Sequence, residues 1–267
     1  MAEEKQFDLT VIGSGPGGYV ASIRAAQLGL KVACIEKAPS LGGTCLRVGC
    51  IPSKALLESS AHFMFAGKQL AQHGVVVERP KLDLNRMMKR KQQTVNMLGK
   101  GVETLFKKNK VELICGTARI LGSGSLEVES ADNTSTLVHS KHILIATGSQ
   151  PVSLPSVPFD GERIVSSAEA LSFENVPEHL VVIGGGYIGL ELGSVWKRLG
   201  SRVTVLEMRP QIFPGMDGET ALEAQRILHR QGLEFQFGKK VTSAMRNGDQ
   251  CQIALEGGDT IECSHIL

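Results

Sequence analysis

The chain has 267 residues, and its 29 Lys and Arg residues nearly balance 27 Asp and Glu residues, which gives a formal net charge of +2 at pH 7. This length exceeds that of one ordinary domain, so we expect two domains with sizeable hydrophobic cores. Aromatic residues make up only 4% of the chain. A near-neutral charge and few aromatic side chains argue against a nucleic-acid-binding surface, which needs basic residues and stacking platforms.

Neither the amino end nor the most apolar stretch indicates a leader or a membrane span. The first residues are polar and acidic, unlike a secretory or organellar targeting sequence. Residues 180–196 are strongly apolar, but they are few for a span and include Glu191 and several glycines. Six cysteines over 267 residues do not make a disulfide framework. We therefore predict a cytoplasmic protein without a membrane partner, and no metal site is predicted.

Two segments repeat each other, the second standing 171 positions after the first. In each copy an apolar strand leads into a G-x-G-x-x-G turn, an amphipathic helix, a glycine stop and a second strand. Each copy ends in a glutamate that stands 23 positions after its first glycine. The matching residues are Gly13, Gly15, Gly18 and Glu36 in the first copy, and Gly184, Gly186, Gly189 and Glu207 in the second.

This repeated unit is typical of a dinucleotide-binding site. The first glycine makes a tight turn, the second lets the backbone approach a pyrophosphate, and the third lets helix and strand pack closely. The helix N-terminus attracts the phosphates, and the glutamate accepts a ribose hydroxyl. A glycine-rich turn without a ligand is the alternative, but strand, helix and acid occur in register twice. Two such sites indicate electron transfer between a bound cofactor and a second one. The charge of Glu207 favours NAD over NADP at the second site, although Arg202 and Arg209 lie nearby.

Cys45 and Cys50 stand five positions apart between the two repeats. On a regular α-helix their Cα atoms would lie about 8.6 Å apart. That distance is beyond disulfide reach, so a bridge requires a distorted turn, for which Gly49 supplies backbone freedom. Two buried free cysteines are the alternative, and the neighbouring dinucleotide motif favours the redox interpretation. The other cysteines lie in strand-like apolar runs and are predicted core residues: Cys34, Cys115, Cys251 and Cys263.

The remaining stretches complete an α/β pattern. Residues 55–110 are predicted as two helices, of which residues 82–110 carry many Lys and Arg residues beside an apolar stripe. A solvated face over a packed stripe is favoured there over a partner-binding helix. Residues 111–145 are predicted as short strands, and the proline-bearing residues 149–160 as a linker. Residues 259–267 are predicted as one alternating strand that stops in mid-pattern, so we expect a fragment of a longer chain.

The cysteine segment carries a family resemblance. Residues 42–57 read Gly-Gly-Thr-Cys-Leu-Arg-Val-Gly-Cys-Ile-Pro-Ser-Lys-Ala-Leu-Leu. This segment resembles the active-site segment of the flavoprotein disulfide reductases, most closely that of the dihydrolipoamide dehydrogenases. Glutathione and trypanothione reductases usually have Lys where Ser53 stands. Residues 143–148 also resemble the family's strand that ends at the flavin, and the similarity runs over essentially the whole chain but only about the amino-terminal half of a family member.

The resemblance implies a fold class and two cofactors. The expected fold is α/β, with two Rossmann-like dinucleotide-binding domains of the three-layer ββα type and without the carboxyl-terminal dimerisation domain. Residues 1–150 would form an incomplete FAD-binding domain with a helical insertion at about 55–110, and residues 151–267 a truncated NAD-binding domain. The implied FAD contacts are Gly13, Gly15, Gly18, Glu36, Gly42, Gly43, Thr44, Lys54, Gly116, Thr147 and Gly148. The implied NAD contacts are Gly184, Gly186, Tyr187, Gly189, Glu207 and Val241.

The resemblance also implies catalytic roles and partners. Cys50 would be the thiol nearest the flavin, and Cys45 the thiol that exchanges with a dithiol substrate. Lys54 would lie near the reactive nitrogen of the flavin in a buried pair with Glu191, because an unpaired buried charge is costly. Dihydrolipoamide would reduce the disulfide, and two electrons would pass through FAD to NAD+. The implied partners are a lipoyl-bearing protein of a 2-oxo acid dehydrogenase or glycine-cleavage complex and, for the full-length chain, a second copy.

Two departures from the family pattern leave alternatives open. Family members usually have Asn where this chain has Arg47, which would either favour the thiolate as an added cation or be a plain exposed side chain. The family's general base, a His paired with a Glu near the carboxyl terminus, has no counterpart here, so the activity of the fragment stays open. The alternatives are another FAD- and NAD(P)H-dependent disulfide or mercuric reductase, and a non-catalytic FAD-binding fragment.

Overall fold

A computed structural model describes residues 3–267, which form two compact units. Unit 1 comprises the chain up to Pro52 together with Gln92–Gln150. Unit 2 comprises Ser53–Lys91 together with Pro151–Leu267. The helical insertion expected at about residues 55–110 therefore falls partly in each unit, and the assignment of the units to cofactors stays a prediction.

Strands and helices alternate through the two repeats, and each repeat is followed by a run of short antiparallel strands. A 3-10 helix spans Leu70–His73. In chain order the other elements are β1 (Glu3–Ile12), α1 (Pro16–Gln27), β2 (Val32–Glu36), α2 (Gly43–Val48), α3 (Cys50–Lys68), α4 (Leu84–Lys108), β3 (Glu112–Cys115), β4 (Thr117–Gly122), β5 (Ser125–Glu129), β6 (Ser135–Ile145), α5 (Ser167–Ala170), β7 (His179–Ile183), α6 (Tyr187–Leu199), β8 (Arg202–Glu207), α7 (Gly218–Arg230), β9 (Glu234–Phe237), β10 (Val241–Asn247), β11 (Gln250–Leu255), β12 (Thr260–Cys263) and β13 (His265–Ile266).

Unit 1 is built on one six-stranded sheet with the strand order β3-β2-β1-β6-β5-β4. The first four of these strands are parallel neighbours, and β5 and β4 continue the sheet in antiparallel pairing. Every residue of β2 is buried, as expected for an inner parallel strand with helices or loops on both faces. Because β1, β2 and β6 are parallel, Ile12, Glu36 and Ile145 end at the same edge of the sheet. Open α/β sheets bind their ligands at this edge.

Unit 2 contains a parallel sheet with the strand order β13-β7-β8-β9 and a separate antiparallel sheet, β10-β11-β12. On one side of the parallel sheet, α6 buries Trp196 completely, and its Nε1 donates a hydrogen bond of 3.0 Å to the carbonyl of Ala170. On the other side, Val181 and Leu206 pack against Ile253 of the antiparallel sheet. The parallel strands are thus covered on both faces, and the predicted α/β class with a Rossmann-like unit is confirmed.

The carboxyl-terminal stretch differs from its prediction. Residues 259–267 do not form one strand, because β12 belongs to the antiparallel sheet whereas β13 pairs in parallel with β7. Ser264 lies between them and donates to the carbonyl of His179 through both its N–H (3.0 Å) and its Oγ (2.9 Å). The apolar pattern hid this crossing between the sheets because Cys263 and Ile266, one on each strand, pack in the same core cluster.

The predicted helical pair corresponds to α3 and α4. The part of α4 that follows Lys91 packs Val95, Val102 and Phe106 into the core of unit 1, so the predicted packed stripe is confirmed there. Lys91 does not belong to the solvent-exposed basic face that was predicted for this helix. It is only 6% exposed, and its Nζ donates to the carbonyl of Leu171 at 2.8 Å. Burial lowers the pKa of Lys91. Among residues 3–267 the structure contains no helix with the length and apolarity that a membrane crossing requires.

Acid should destabilise unit 2 through His265. Burial, followed by the nearby charge of Arg163, lowers the pKa of His265 from 6.5 to about 4. Between pH 6.5 and about 4, His265 is therefore protonated in the unfolded chain but not in the folded chain. The free energy of unfolding falls as the pH drops through this range. Because the ring is only partly buried, we expect a loss of about 1 kcal/mol rather than the full value of the shift.

The measurement is urea unfolding of the native chain and His265→Gln at several pH values across this window. The variant should lose less free energy of unfolding on acidification than the native chain. His229→Gln, at an exposed position of α7, is the matched control and should follow the native chain. Equal pH slopes for all three proteins would rule out His265 as the cause.

Candidate functional site

The first glycine-rich turn joins β1 to α1 in unit 1. Gly13 has φ +101°, and a Cβ added at Gly18 would lie 1.8 Å from the Gly13 carbonyl oxygen, so the turn and helix pack with no room for a side chain. An added Cβ at Gly15 would contact only Gly43, at 3.8 Å. Pro16 opens α1, and no side chain caps the helix. This geometry presents free backbone N–H groups beside an open face, which is what a pyrophosphate requires.

The carboxylate of Glu36 is hydrogen-bonded to this turn. Its Oε2 accepts hydrogen bonds from Ser14 N–H (3.0 Å) and Ser14 Oγ (2.6 Å), and its Oε1 accepts from Ala38 N–H (2.9 Å). Burial alone would raise the pKa of Glu36, but these hydrogen bonds and the charge of Arg47 outweigh it, so the pKa lies below its usual value. Glu36 is therefore an ionised acceptor beside the turn. Ser14 was not singled out from the sequence, because the second repeat has Gly185 at the matching position.

The other first-site residues predicted in unit 1 come from the start of α2 and from two loops, and they converge on the same turn. Gly42 N–H donates to the Ser14 carbonyl at 3.0 Å, and Gly116 N–H donates to the Glu36 carbonyl at 2.9 Å. An added Cβ at Gly43 would lie 2.4 Å from Gly15 Cα, and one at Gly13 would lie 3.2 Å from Thr147 Cα. Thr44 and Gly148 follow Gly43 and Thr147 directly in the chain and are exposed. The fold thus gathers the predicted first-site residues of unit 1 at one sheet edge.

Cys45 and Cys50 form a disulfide, with their Cα atoms 4.7 Å apart. Cys45 lies within α2, which ends at Gly49 with φ −142° and ψ −115°, and Cys50 begins α3. This break brings the two Cα atoms well inside the distance of about 8.6 Å expected on a continuous helix. A Cβ added at Gly49 would lie 2.9 Å from the Thr44 carbonyl oxygen, so the break has no space for a side chain. The predicted distorted turn is confirmed, and Gly49 is its cause.

Lys54 and Glu191 form the predicted ion pair within unit 2. Lys54 Nζ lies 2.7 and 2.8 Å from the two carboxylate oxygens of Glu191, and Ser53 Oγ donates to the same carboxylate at 2.8 Å. The prediction that the pair is buried was wrong, because the Lys54 side chain is 59% exposed and that of Glu191 30% exposed. An exposed pair of this kind contributes at most about 1 kcal/mol to stability. Its geometry therefore positions the Lys54 ammonium more than it stabilises the fold, and the hydroxyl of Ser53 adds a contact that the sequence did not reveal.

The second glycine-rich turn, in unit 2, has the same arrangement as the first. Gly184 has φ +107°, and a Cβ added at Gly189 would lie 2.6 Å from a methyl carbon of Val182. An added Cβ at Gly186 would meet nothing within 4 Å. Glu207 accepts from Gly185 N–H at 2.7 Å and from Arg209 N–H at 2.8 Å, which are the positions that match Ser14 and Ala38. The second turn therefore has the same open face and a carboxylate hydrogen-bonded in the same way.

A cavity of about 400 Å³ adjoins the second turn. Its walls are mainly apolar and include the turn residues and the amino end of α6, where Tyr187 is 66% exposed. Val241 does not line this cavity, and its side chain packs against the core between the two sheets of unit 2. The nearby Lys239 N–H donates to the carbonyl of Glu207, at the end of β8 (3.2 Å). A larger polar cavity of about 880 Å³ lies elsewhere in unit 2, and no predicted site residue lines it.

The remaining cysteines divide differently from the prediction. Cys34, Cys251 and Cys263 are buried core residues, as predicted, and burial raises the pKa of Cys34 and of Cys263 to about 12. Cys115 is exposed, so its assignment to the core was wrong. It lies at the end of β3, which is an edge strand of the sheet. An edge strand pairs with a neighbouring strand on one side only.

Comparison with known proteins agrees with this geometry. The family model for the pyridine nucleotide-disulphide oxidoreductases matches residues 7–267. The chain belongs to this family. The resemblance of the cysteine segment to flavoprotein disulfide reductases is thereby confirmed.

Curated relatives of this chain include dihydrolipoyl dehydrogenases. The chain is 52% identical to dihydrolipoyl dehydrogenase 3 of Pseudomonas putida, covering 98% of this chain and 58% of the relative. It is 49% identical to the mitochondrial dihydrolipoyl dehydrogenase of Pisum sativum, covering 97% and 53%. It is also 51% identical to a leghemoglobin reductase of Vigna unguiculata, covering 94% and 49%. The chain thus spans about half the length of the curated relatives it matches.

Solved structures of family members show the same fold. LpdA from Mycobacterium tuberculosis superposes with a TM-score of 0.89 at 25% identity, covering 98% of this chain and 57% of that one. The flavoprotein disulfide reductase RclA from Escherichia coli, induced by HOCl, gives a TM-score of 0.81 at 27% identity, covering 97% and 55%. The two-repeat architecture is therefore that of this oxidoreductase family.

Among the cysteines other than the exposed Cys115, those of the Cys45–Cys50 disulfide should be the first to react with a reductant and a thiol label under native conditions. Cys50 is exposed and Cys45 half-buried, so a dithiol reductant reaches this bond without unfolding the chain. After brief treatment with dithiothreitol, iodoacetamide should label both residues, as read by peptide mass spectrometry. The exposed Cys115 is the internal control and should be labelled with or without the reductant. Labelling of a buried core cysteine before Cys50 would contradict this assignment; these are Cys34, Cys251 and Cys263.

Proposed function

We propose that this chain is the cofactor-binding and redox portion of a dihydrolipoyl dehydrogenase, which oxidises protein-bound dihydrolipoamide and reduces NAD+ by way of FAD. The observation that carries the proposal is the Cys45–Cys50 disulfide, which lies in the same unit as a glycine-rich turn of dinucleotide-binding form. The relatives named dihydrolipoyl dehydrogenase support it. Because the chain spans about half their length, the activity, the substrate and the partner all belong to the proposal.

We assign FAD to unit 1, and the local chemistry supports this choice. An ionised carboxylate offers about four acceptor positions. Three hydrogen bonds already reach Glu36, which leaves one position for a ribose hydroxyl. The open face at Gly15 and the uncapped start of α1 suit the pyrophosphate, so the residues present fit the cofactor.

We assign NAD to unit 2 on the same grounds. Glu207 receives only two backbone hydrogen bonds, so two acceptor positions are free for the two hydroxyls of a ribose. Its charge would repel a 2′-phosphate, which favours NAD over NADP. The apolar cavity beside Tyr187 is of a size and polarity that suit a planar nicotinamide ring.

The chemistry at the cysteines is thiol–disulfide exchange. A substrate thiolate attacks the Cys45 sulfur, the bond to Cys50 breaks, and Cys50 leaves as a thiolate. The second substrate thiol then displaces Cys45, so the substrate becomes a disulfide and the enzyme a dithiol, with two electrons transferred. A bound FAD would supply the two-electron chemistry that re-forms the bond between Cys45 and Cys50, with NAD+ as the final oxidant. Cys50 is the more exposed residue of the two, so the assignment of the exchange to Cys45 rests on the family resemblance.

The proposed partner is a lipoyl-bearing protein of a 2-oxo acid dehydrogenase or glycine-cleavage complex, since dihydrolipoamide is carried on such proteins. A homodimer is proposed for the longer chains of the family. A cytoplasmic location is part of the proposal and is supported by the buried free thiols Cys34, Cys251 and Cys263, which suit a reducing compartment. Lys54, held by Glu191, is proposed to act beside the flavin.

FAD binding should depend on the third glycine of the first turn. In Gly18→Ala the new Cβ would meet the Gly13 carbonyl oxygen at 1.8 Å, so the helix and turn must separate. We expect FAD affinity to fall about 5- to 160-fold, because overpacking of this kind costs roughly 1–3 kcal/mol. Gly17→Ala is the matched control, since its Cβ would meet nothing within 4 Å. The measurement is titration of each purified protein with FAD, followed by flavin fluorescence, and equal affinities would remove unit 1 as the FAD site.

Electron transfer should require Cys45 and should end on NAD+. When the FAD-loaded chain is mixed with dihydrolipoamide, the flavin should bleach, and NADH should then form faster than NADPH. The rate should be about 10²- to 10⁴-fold below that of a full-length relative, because no family-type general base is present. Cys45→Ser should abolish the reaction, whereas Cys115→Ser should not change it.

Other outcomes of the same experiment identify the alternatives. FAD binding without any bleaching by dihydrolipoamide would favour a non-catalytic FAD-binding fragment. Bleaching by NADPH together with reduction of other disulfides would favour another disulfide reductase. Either result would refute the proposed reaction.

A further inference from the structure

Arg47 points back along α2 towards the first glycine-rich turn. It stands one helical turn after Gly43, and its Nε donates to the Gly43 carbonyl oxygen at 3.3 Å. Helical side chains lean towards the amino end of their helix, and here the hydrogen bond holds the guanidinium in that direction. Cys50, by contrast, lies past the carboxyl end of α2. Arg47 is half-buried, so it is not a plain exposed side chain.

Two observations relate Arg47 to that turn. Gly43, to which it is hydrogen-bonded, packs directly on Gly15. Its positive charge also acts on the carboxylate of Glu36, which is hydrogen-bonded to Ser14. Gly15 and Ser14 are consecutive residues of the turn, so Arg47 is connected to this turn through Gly43 and through the carboxylate of Glu36.

The donors of Arg47 are only partly used. A guanidinium has five N–H donors in a planar fork. Among residues 3–267 the structure gives a partner only to Nε, so the two terminal nitrogens are available to a ligand. A planar fork of this kind matches phosphate oxygens in a bidentate arrangement.

A cation at this position also reduces the electrostatic repulsion between Glu36 and a bound pyrophosphate. An ionised Glu36 beside the turn would repel a pyrophosphate, whose charge is negative. Arg47 is attracted to both groups and lowers this repulsion. The asparagine usual in the family can donate hydrogen bonds but supplies no charge.

We propose that Arg47 is an additional binding residue for the cofactor of the first turn, donating its terminal N–H groups to the pyrophosphate of FAD. This inference rests on the proposed assignment of FAD to unit 1. It replaces the expectation that Arg47 acts on the thiolate, because its hydrogen bond directs it to the turn.

The test compares the dissociation constant for FAD in the native chain, Arg47→Asn and Arg47→Lys, by fluorescence titration at two salt concentrations. Hydrogen bonds to charged groups are worth about 1.5–3 kcal/mol, so Arg47→Asn should weaken FAD binding about 10- to 100-fold. Arg47→Lys should recover part of the affinity. The salt dependence of binding should become shallower in Arg47→Asn, because one cation–phosphate contact is lost. Arg24→Asn, exposed in the last turn of α1, is the matched control and should bind FAD like the native chain.

ADP and adenosine, used as competitors of FAD, locate the contact. Loss of Arg47 should weaken competition by ADP, which carries a pyrophosphate, and leave competition by adenosine unchanged. Equal FAD affinity and equal salt dependence in the native chain and Arg47→Asn would overturn the proposal. So would unchanged affinity with a shift in the pH at which the thiolate–flavin absorbance appears, which would assign Arg47 to the thiols. If the native chain binds no FAD, the assignment of FAD to unit 1 fails, and this inference fails with it.

Discussion

In each unit a buried carboxylate at the end of one strand accepts a hydrogen bond from the glycine-rich turn that follows the neighbouring strand. Glu36 accepts the N–H of Ser14 in unit 1, and Glu207 accepts that of Gly185 in unit 2. A buried N–H left without a partner costs about 1–3 kcal/mol, so the tight turn requires this hydrogen bond. The turn then sets where the following helix begins and where its free N–H groups point. The loop that contains Gly116 is positioned by the same residue, because Gly116 N–H donates to the Glu36 carbonyl.

The sequence was sufficient wherever a local pattern decides the structure. The constant spacing of glycine and glutamate predicted both turns, because only glycine fits a positive φ at Gly13 and a helix–turn contact as close as that of Gly18. The spacing of Cys45 and Cys50 predicted a break in the helix, since no continuous helix can bridge them. Each of these rules acts within a few residues or within one βαβ unit, which is why periodicity and spacing were enough.

The sequence failed where the outcome depends on which elements become neighbours. The exposure of Cys115 follows from the place of β3 at the edge of its sheet, and an apolar run does not reveal that order. The crossing at Ser264 was hidden because the residues on both sides pack in one cluster. The exposure of the Lys54 ammonium depends likewise on packing at long range. The direction of Arg47 is set by its hydrogen bond to the Gly43 carbonyl, which composition and spacing do not reveal, so its role stayed open.

The agreement between the two units extends to individual hydrogen bonds, since the donors to Glu36 and Glu207 stand at matching positions. Both turns therefore meet the same local requirement for a carboxylate acceptor. At the second position of the turn the copies differ, with Ser14 in one and Gly185 in the other. The hydroxyl of Ser14 takes up an acceptor position that stays free on Glu207. One side chain thus changes how many acceptor positions the carboxylate leaves open, while the backbone hydrogen bonds of the turn stay the same.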